Sequence, residues 1–111
     1  MNVKKFVLLA ALFMISILSV SFADEDNYVI MIKDHIFSPA ELVVPADKKV
    51  KIVIENHDLT VEEFESFDLN REKVVSGNGK IVIFVGPLKP GRYKYFGDFH
   101  QDTAQGIIVA Q

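Results

Sequence analysis

From Tyr28 onward turn residues cut the chain into short runs, and none of these carries a convincing amphipathic helical period. Tyr28 to Lys33 is apolar and alternating, and Glu41 to Val44 follows a Phe37-Ser38-Pro39 corner. Pro45-Ala46-Asp47 reads as a turn, with proline pre-setting its φ angle. Lys49 to Glu55 is the clearest strand, with Val50, Ile52 and Ile54 on one face and Lys49 and Lys51 on the other. It ends at Asn56-His57-Asp58, and Thr60 to Phe67 reads as a further strand. Ser76-Gly77-Asn78-Gly79 turns the chain into Lys80 to Val85, and Gly86-Pro87 with Lys89-Pro90-Gly91 separates that run from the last one. Strands at this spacing, about seven in all, predict an all-β antiparallel sandwich with no internal repeat or linker.

The last run, Gly91 to Val109, begins as a strand with Tyr93 and Tyr95 on one face and Arg92 and Lys94 on the other. The two tyrosines fit the inward face, their hydroxyls reaching the rim. The strand breaks at Gly97, offers His100 in a short polar loop, and resumes at Gly106. A histidine between adjacent strands of a small sandwich stands on rigid supports suited to a metal. By spacing alone it reads equally as a solvated surface residue, so other parts of the chain must decide.

Residues 1–23 read as a secretory leader: Lys4 and Lys5, the apolar run Phe6 to Val20, then Ser21-Phe22-Ala23 before Asp24-Glu25-Asp26. The alternative is a membrane anchor, but the apolar run falls short of the roughly 20 residues that span a bilayer. No cysteine lies near the cleavage point to carry a lipid. The expectation is therefore a periplasmic or secreted protein with no membrane anchor after cleavage. Cleavage removes 23 of 111 residues and leaves 88, Asp24 to Gln111, as one small domain. Losing the two lysines takes the net charge from −3 to −5. An acidic domain of this size gives no support for nucleic acid or an anionic membrane surface as partner. An exported chain without cysteine must be held together by its core and by any bound ligand.

The unusual local cluster is Val61-Glu62-Glu63-Phe64-Glu65-Ser66. In an extended chain Glu63 and Glu65 share one face, and Glu62 and Phe64 the other. Two carboxylates side by side call for solvent or a cation to compensate them; the alternative is a charged edge strand that resists aggregation. Hydrolytic chemistry finds no footing. There is no cysteine nucleophile, Gly-x-Ser-x-Gly elbow, phosphate-binding glycine loop or His-Glu-x-x-His helix. A glutamate pair could serve a glycosidase, but a domain this small without tryptophan offers little cleft for a sugar.

The order of features resembles the cupredoxin family over nearly the whole mature chain. It includes Phe37-Ser38-Pro39, Leu42-Val43-Val44-Pro45-Ala46 and a strand ending in Asn56. Leu88-Lys89-Pro90-Gly91, Tyr93, Tyr95, His100 and Gly106 to Val109 come after these in order. The resemblance implies a Greek-key β-sandwich whose Pro-Gly-x-Tyr strand leads into a copper loop supplying Cys, His and usually Met. Here Gly97 stands where that cysteine would be, Gln105 stands near the methionine position, and Glu63-Phe64-Glu65 occupies the segment of the other histidine. Without a thiolate, an ordinary blue-copper centre cannot form.

A closer resemblance is to the cupredoxin-like domains associated with bacterial periplasmic iron uptake. They similarly show Glu-Phe-Glu-Ser, then a Leu and Glu-Lys-Val (here Leu69 and Glu72-Lys73-Val74), then Leu-Lys-Pro-Gly and Phe-x-x-x-His. This implies an exported protein that binds copper or iron and works beside an iron permease or another periplasmic iron-uptake protein. Oxidation of Fe(II) is a further task it implies.

Carboxylate and imidazole donors suit iron or Cu(II) better than Cu(I). The expected metal ligands are Glu63 and Glu65 with His100, and Glu62 replaces them if the strand register slips by one. Gln105 is a weaker candidate, and Met31 is either a soft copper ligand or core packing. His35 and His57, beside Asp34 and Asp58, read as surface or turn residues that could form a second, exposed site. Asp98 is a candidate to orient His100, or a solvated acid. Phe84, Phe96 and Phe99 read as core or loop-anchoring aromatics. The competing function is a metal-free interaction module that kept the sandwich and lost the site.

Overall fold

Alternation drives the architecture, because a strand with apolar residues at every second position must cover that face. The computed structural model describes Tyr28–Gln111; the leader expected over residues 1–23 and its cleavage point lie outside the described residues. Within it the strands are β1 (Tyr28–Lys33), β2 (Ile36–Ser38), β3 (Glu41–Val44), β4 (Val50–Asn56), β5 (Glu62–Ser66), β6 (Arg71–Val75), β7 (Lys80–Val85), β8 (Gly91–Gly97) and β9 (Gln105–Ala110). One 3₁₀ turn, Asp98–His100, joins β8 to β9.

They form two sheets, ordered β2-β1-β4-β7 and β3-β9-β8-β5-β6. Their inward faces supply the core: Ile30, Ile32, Val50, Ile52, Ile54, Phe64, Tyr95 and Ile108 are almost entirely buried. Each such side chain contributes about 1.5–3 kcal/mol through its removal from water. The all-β sandwich agrees with the sequence reading. Two neighbouring pairs, β1 with β4 and β3 with β9, run parallel. Parallel neighbours need a crossover rather than a hairpin, and here the chain passes through the opposite sheet between them. Two short strands lay outside the sequence expectation. β2 buries only Phe37, and β6 buries only Val75, so neither shows a full alternation.

An aromatic trio fills the core near the β8 end. Tyr95 lies 5.0 Å from Phe37, edge to face, and 5.0 Å from Phe64 in a stacked pose. Its ring covers Gly106 on the neighbouring strand, where a Cβ would collide with the phenol oxygen. The expectation that both tyrosine hydroxyls reach the rim holds for Tyr93, which donates to the Lys89 carbonyl at 2.8 Å. It fails for Tyr95, whose buried hydroxyl has no hydrogen-bond partner among the described residues; burial pushes that phenol's pKa well up. Phe84 and Phe99 are exposed rather than core, Phe84 lying under Lys49 and Phe96 tilting against Phe67.

Candidate functional site

The alternation of β5 sends Glu62, Phe64 and Ser66 inward and Glu63 and Glu65 outward. Glu62 therefore ends as a carboxylate only 2% exposed at one end of the sandwich. A buried carboxylate is costly unless every oxygen is met, and here each one is. Oε1 accepts the Glu63 and Phe99 backbone amides, both at 2.9 Å. Oε2 lies 2.7 Å from His100 Nδ1, an ion-pair geometry when the ring is charged.

Room for that carboxylate comes from Gly97. A Cβ on Gly97 would lie 2.6 Å from Glu62 Cδ, 2.7 Å from Glu62 Oε2 and 2.7 Å from the Cβ of Ala104. Gly97 has φ −91° and ψ 115°, which any residue adopts, so glycine is required here for space rather than conformation. The fully buried Ala104 closes the same slot, its amide donating to the His100 carbonyl at 2.8 Å.

His100 is stacked on a residue from the far end of the sequence. The His35 ring lies parallel to it, with centroids 3.5 Å apart and planes 9° from one another. His35 sits in the two-residue turn between β1 and β2, where Lys33 pairs with Ile36. Both turn residues have positive φ, 52° at Asp34 and 59° at His35, a conformation that Asn-Gly adopts with least strain. Asp58 holds the turn by accepting the amides of Asp34 at 2.7 Å and His35 at 3.0 Å, and its Oδ2 also lies 3.4 Å from His35 Nδ1. Burial pushes the Asp58 carboxyl up, but the two amide bonds and the charges of His35 and Lys33 outweigh it and hold its pKa below the ordinary value. Buried Asn56 fixes the Asp58 loop in turn: its Nδ2 donates to Thr60 O and its Oδ1 accepts the Asp58 amide. The result is a line of four side chains, Asp58–His35–His100–Glu62, with a carboxylate on each outer flank.

Of the six expected metal ligands, the structure brings Glu62 and His100 together. Glu63 and Glu65 instead join Glu72 on the outer face of the five-stranded sheet, where one oxygen from each lies within 4.8 Å of the others. The grouping of Glu63 and Glu65 with His100 is thus corrected by strand parity, since neighbours along a strand face opposite ways. Partial burial, then the charges of Glu72, Asp98 and Glu65, push the Glu63 carboxyl up to about 7. Gln105 is exposed and donates to the Gln101 carbonyl at 2.9 Å. Met31 points outward from β1, 37% exposed, so it is neither core packing nor on the Glu62 face. His57 pairs with Glu55 at 3.1 Å. Asp98 accepts from Gln101, and Glu62 is the acid on His100. His35 as a neighbour of His100, and Asp58 as its support, were missed; the one sequence signal was an Asp-His pair between two strand-like runs.

Against known proteins, the chain matches the cupredoxin-like domain family over residues 5–110. An uncharacterized protein of Rickettsia prowazekii (strain Madrid E) is 45% identical over 115 residues, covering 96% of this chain and 92% of the relative. Among solved structures, the novel purple cupredoxin from Nitrosopumilus maritimus superposes with a TM-score of 0.60 at 19% identity, covering 76% of this chain and 99% of its own. Auracyanin A, a "blue" copper protein from Chloroflexus aurantiacus, gives 0.64 at 16% identity, with 77% and 98% covered. The metal binding domain of the Streptococcus pneumoniae D39 Cu(I) exporting P-type ATPase gives 0.66 at 14% identity, with 82% and 91% covered. At these identities the structural matches speak to the fold alone, a two-sheet β-sandwich as described above. This chain belongs to the cupredoxin-like domain family.

Proposed function

We propose that this chain is an exported metal-binding protein that holds copper at the Glu62–His100 end of its sandwich and serves iron uptake. One observation carries the reading: a fully satisfied, buried carboxylate against an imidazole, in a slot that only glycine at 97 leaves open. Buried acid–imidazole pairs of this kind are how proteins orient a metal-binding histidine.

The donors fit oxidised copper and not a thiolate centre. The chain has no cysteine, and Met31 lies on an outer face, so nitrogen and oxygen are what the site offers. Such a set suits Cu(II) over Cu(I), which favours sulfur. His100 would hold the ion, with Glu62 setting its ring. A bound Cu(II) would supply a one-electron acceptor, the property that oxidation of Fe(II) calls on. The copper named for auracyanin A and for the ATPase domain supports this metal by analogy of fold alone.

The iron connection rests on the Glu63-Phe64-Glu65-Ser66 and Phe96-x-x-x-His100 resemblance, and export on the leader at residues 1–23. The partner in this reading is an iron permease or another periplasmic iron-uptake protein. A second reading has its own observation: Glu63, Glu65 and Glu72 converge on the outer face, an all-oxygen set suited to a hard cation, with Fe(III) as the cargo in this reading.

The test is a thermal melt of the chelator-stripped mature chain with and without Cu(II). A ligand that binds only the folded state must raise the melting temperature. A rise reversed by chelator is expected. An unchanged melt with Cu(II) and with iron would retire the metal reading and leave the metal-free interaction module.

A further inference from the structure

Three features of His35 are unexplained by a surface turn. It occupies a positive φ that glycine or asparagine would adopt with less strain. A carboxylate from a separate loop braces both amides of its turn. Its ring, still 39% exposed at the side chain, lies flat on the one imidazole that β5 supports. Strained backbone held by its surroundings is a pointer toward function.

The ring nitrogens give the pointer a chemistry. His100 Nδ1 faces Glu62 at 2.7 Å and His35 Nδ1 faces Asp58 at 3.4 Å. A neutral imidazole bonded to a carboxylate through Nδ1 carries its proton there and its lone pair on Nε2. His100 is therefore set with its proton on Nδ1 and its Nε2 lone pair directed away from Glu62, while Asp58 holds His35 through its backbone amide. Histidines that bind metals are held in this way, with the far nitrogen donated to a carboxylate.

We infer that His35 and His100 form a two-imidazole site for a borderline divalent ion such as Cu(II), ligated through the two Nε2 atoms. Glu62 acts behind His100 as an orienting carboxylate and Asp58 holds the His35 turn through its two amides, neither serving as a ligand. This rests on the copper reading above and names its donor atoms. The stack holds the two rings side by side, with centroids 3.5 Å apart. Parallel rings cannot both aim in-plane lone pairs at one point, so binding rotates at least one ring about its χ2. The exposed His35 has the freedom to do so, and solvent or a substrate completes the coordination.

The probe is Cu(II) alone, added to the metal-free mature chain and read by nitrogen hyperfine coupling in electron paramagnetic resonance. Wild type is expected to show two coupled imidazoles. His35→Asn keeps a residue that tolerates positive φ, so the turn and the melt are retained. It is expected to drop the count to one and to weaken Cu(II) binding by about tenfold or more. His57→Gln, at a ring that pairs with Glu55 instead, leaves the spectrum unchanged. A wild type that binds Cu(II) with one coupled nitrogen, or a folded His35→Asn with the wild-type spectrum, overturns the inference while leaving the copper reading standing. A wild type that binds no Cu(II) overturns both.

Discussion

The carboxylate of Glu62 occupies the space that a side chain at Gly97 would need, with its Cδ 2.6 Å from where that Cβ would stand. The two positions are coupled sterically although they lie on different strands. Gly97→Ala is expected to destabilise the fold by about 1–3 kcal/mol, the usual cost of overpacking a tight interior. In a Glu62→Ala background the same substitution should cost less, because only the Ala104 Cβ then crowds it. Denaturant melts of the four proteins give the coupling directly, and strictly additive costs would contradict the contact.

Asp58 holds the turn that presents His35. Asp58→Ala leaves the Asp34 and His35 amides without their acceptor and is expected to cost about 1–3 kcal/mol. Amide exchange at Asp34 and His35 should accelerate more than elsewhere. The sign with pH comes from the lowered carboxyl: its contribution is present above the ordinary value of 3.8 and is lost as pH falls through the folded value. Wild type should therefore lose stability more steeply in acid than the variant does.

Much of the sandwich is legible in β4, where buried Val50, Ile52 and Ile54 alternate with the less buried Lys51, Val53 and Glu55. A strand such as β6, with only Val75 buried, leaves no such trace because edge strands need not repeat an apolar face. Pairing direction is also silent in the alternation, so the parallel β1–β4 and β3–β9 neighbours emerge only in three dimensions. The parity of β5 was readable, since Glu62 shares its face with Phe64. What was not readable is that an acid could be buried there. That depends on a glycine and an alanine 35 and 42 residues away along the chain. The stack of His35 on His100 joins two turns from opposite ends of the domain, and no local pattern encodes it.

Glu63 makes a separate prediction about pH. Its carboxyl is pushed up to about 7 by partial burial and by its acidic neighbours, so between about 4.5 and 7 the folded chain binds more protons than the unfolded one. That group's contribution makes the fold less stable as pH rises through the window. Glu63→Gln is expected to flatten this part of the stability profile and to melt higher than wild type at pH 8, with little difference near pH 4.5. An unchanged slope would show that the outer acids do not interact as placed.

Metal selectivity separates the two acidic regions. Glu63→Ala with Glu65→Ala removes the outer cluster while leaving Glu62 and His100 in place, so Cu(II) binding should persist and any Fe(III) binding at the outer face should fall. Loss of Cu(II) binding in that double variant would assign copper to the outer face instead.

The most direct measurement of the central claim is a calorimetric titration of Cu(II) into the metal-free mature chain, wild type beside His100→Ala. One-site binding by wild type that is lost in His100→Ala is the expected result. Equal binding by the two proteins, or none by either, would contradict a metal centre at the Glu62–His100 end of the sandwich.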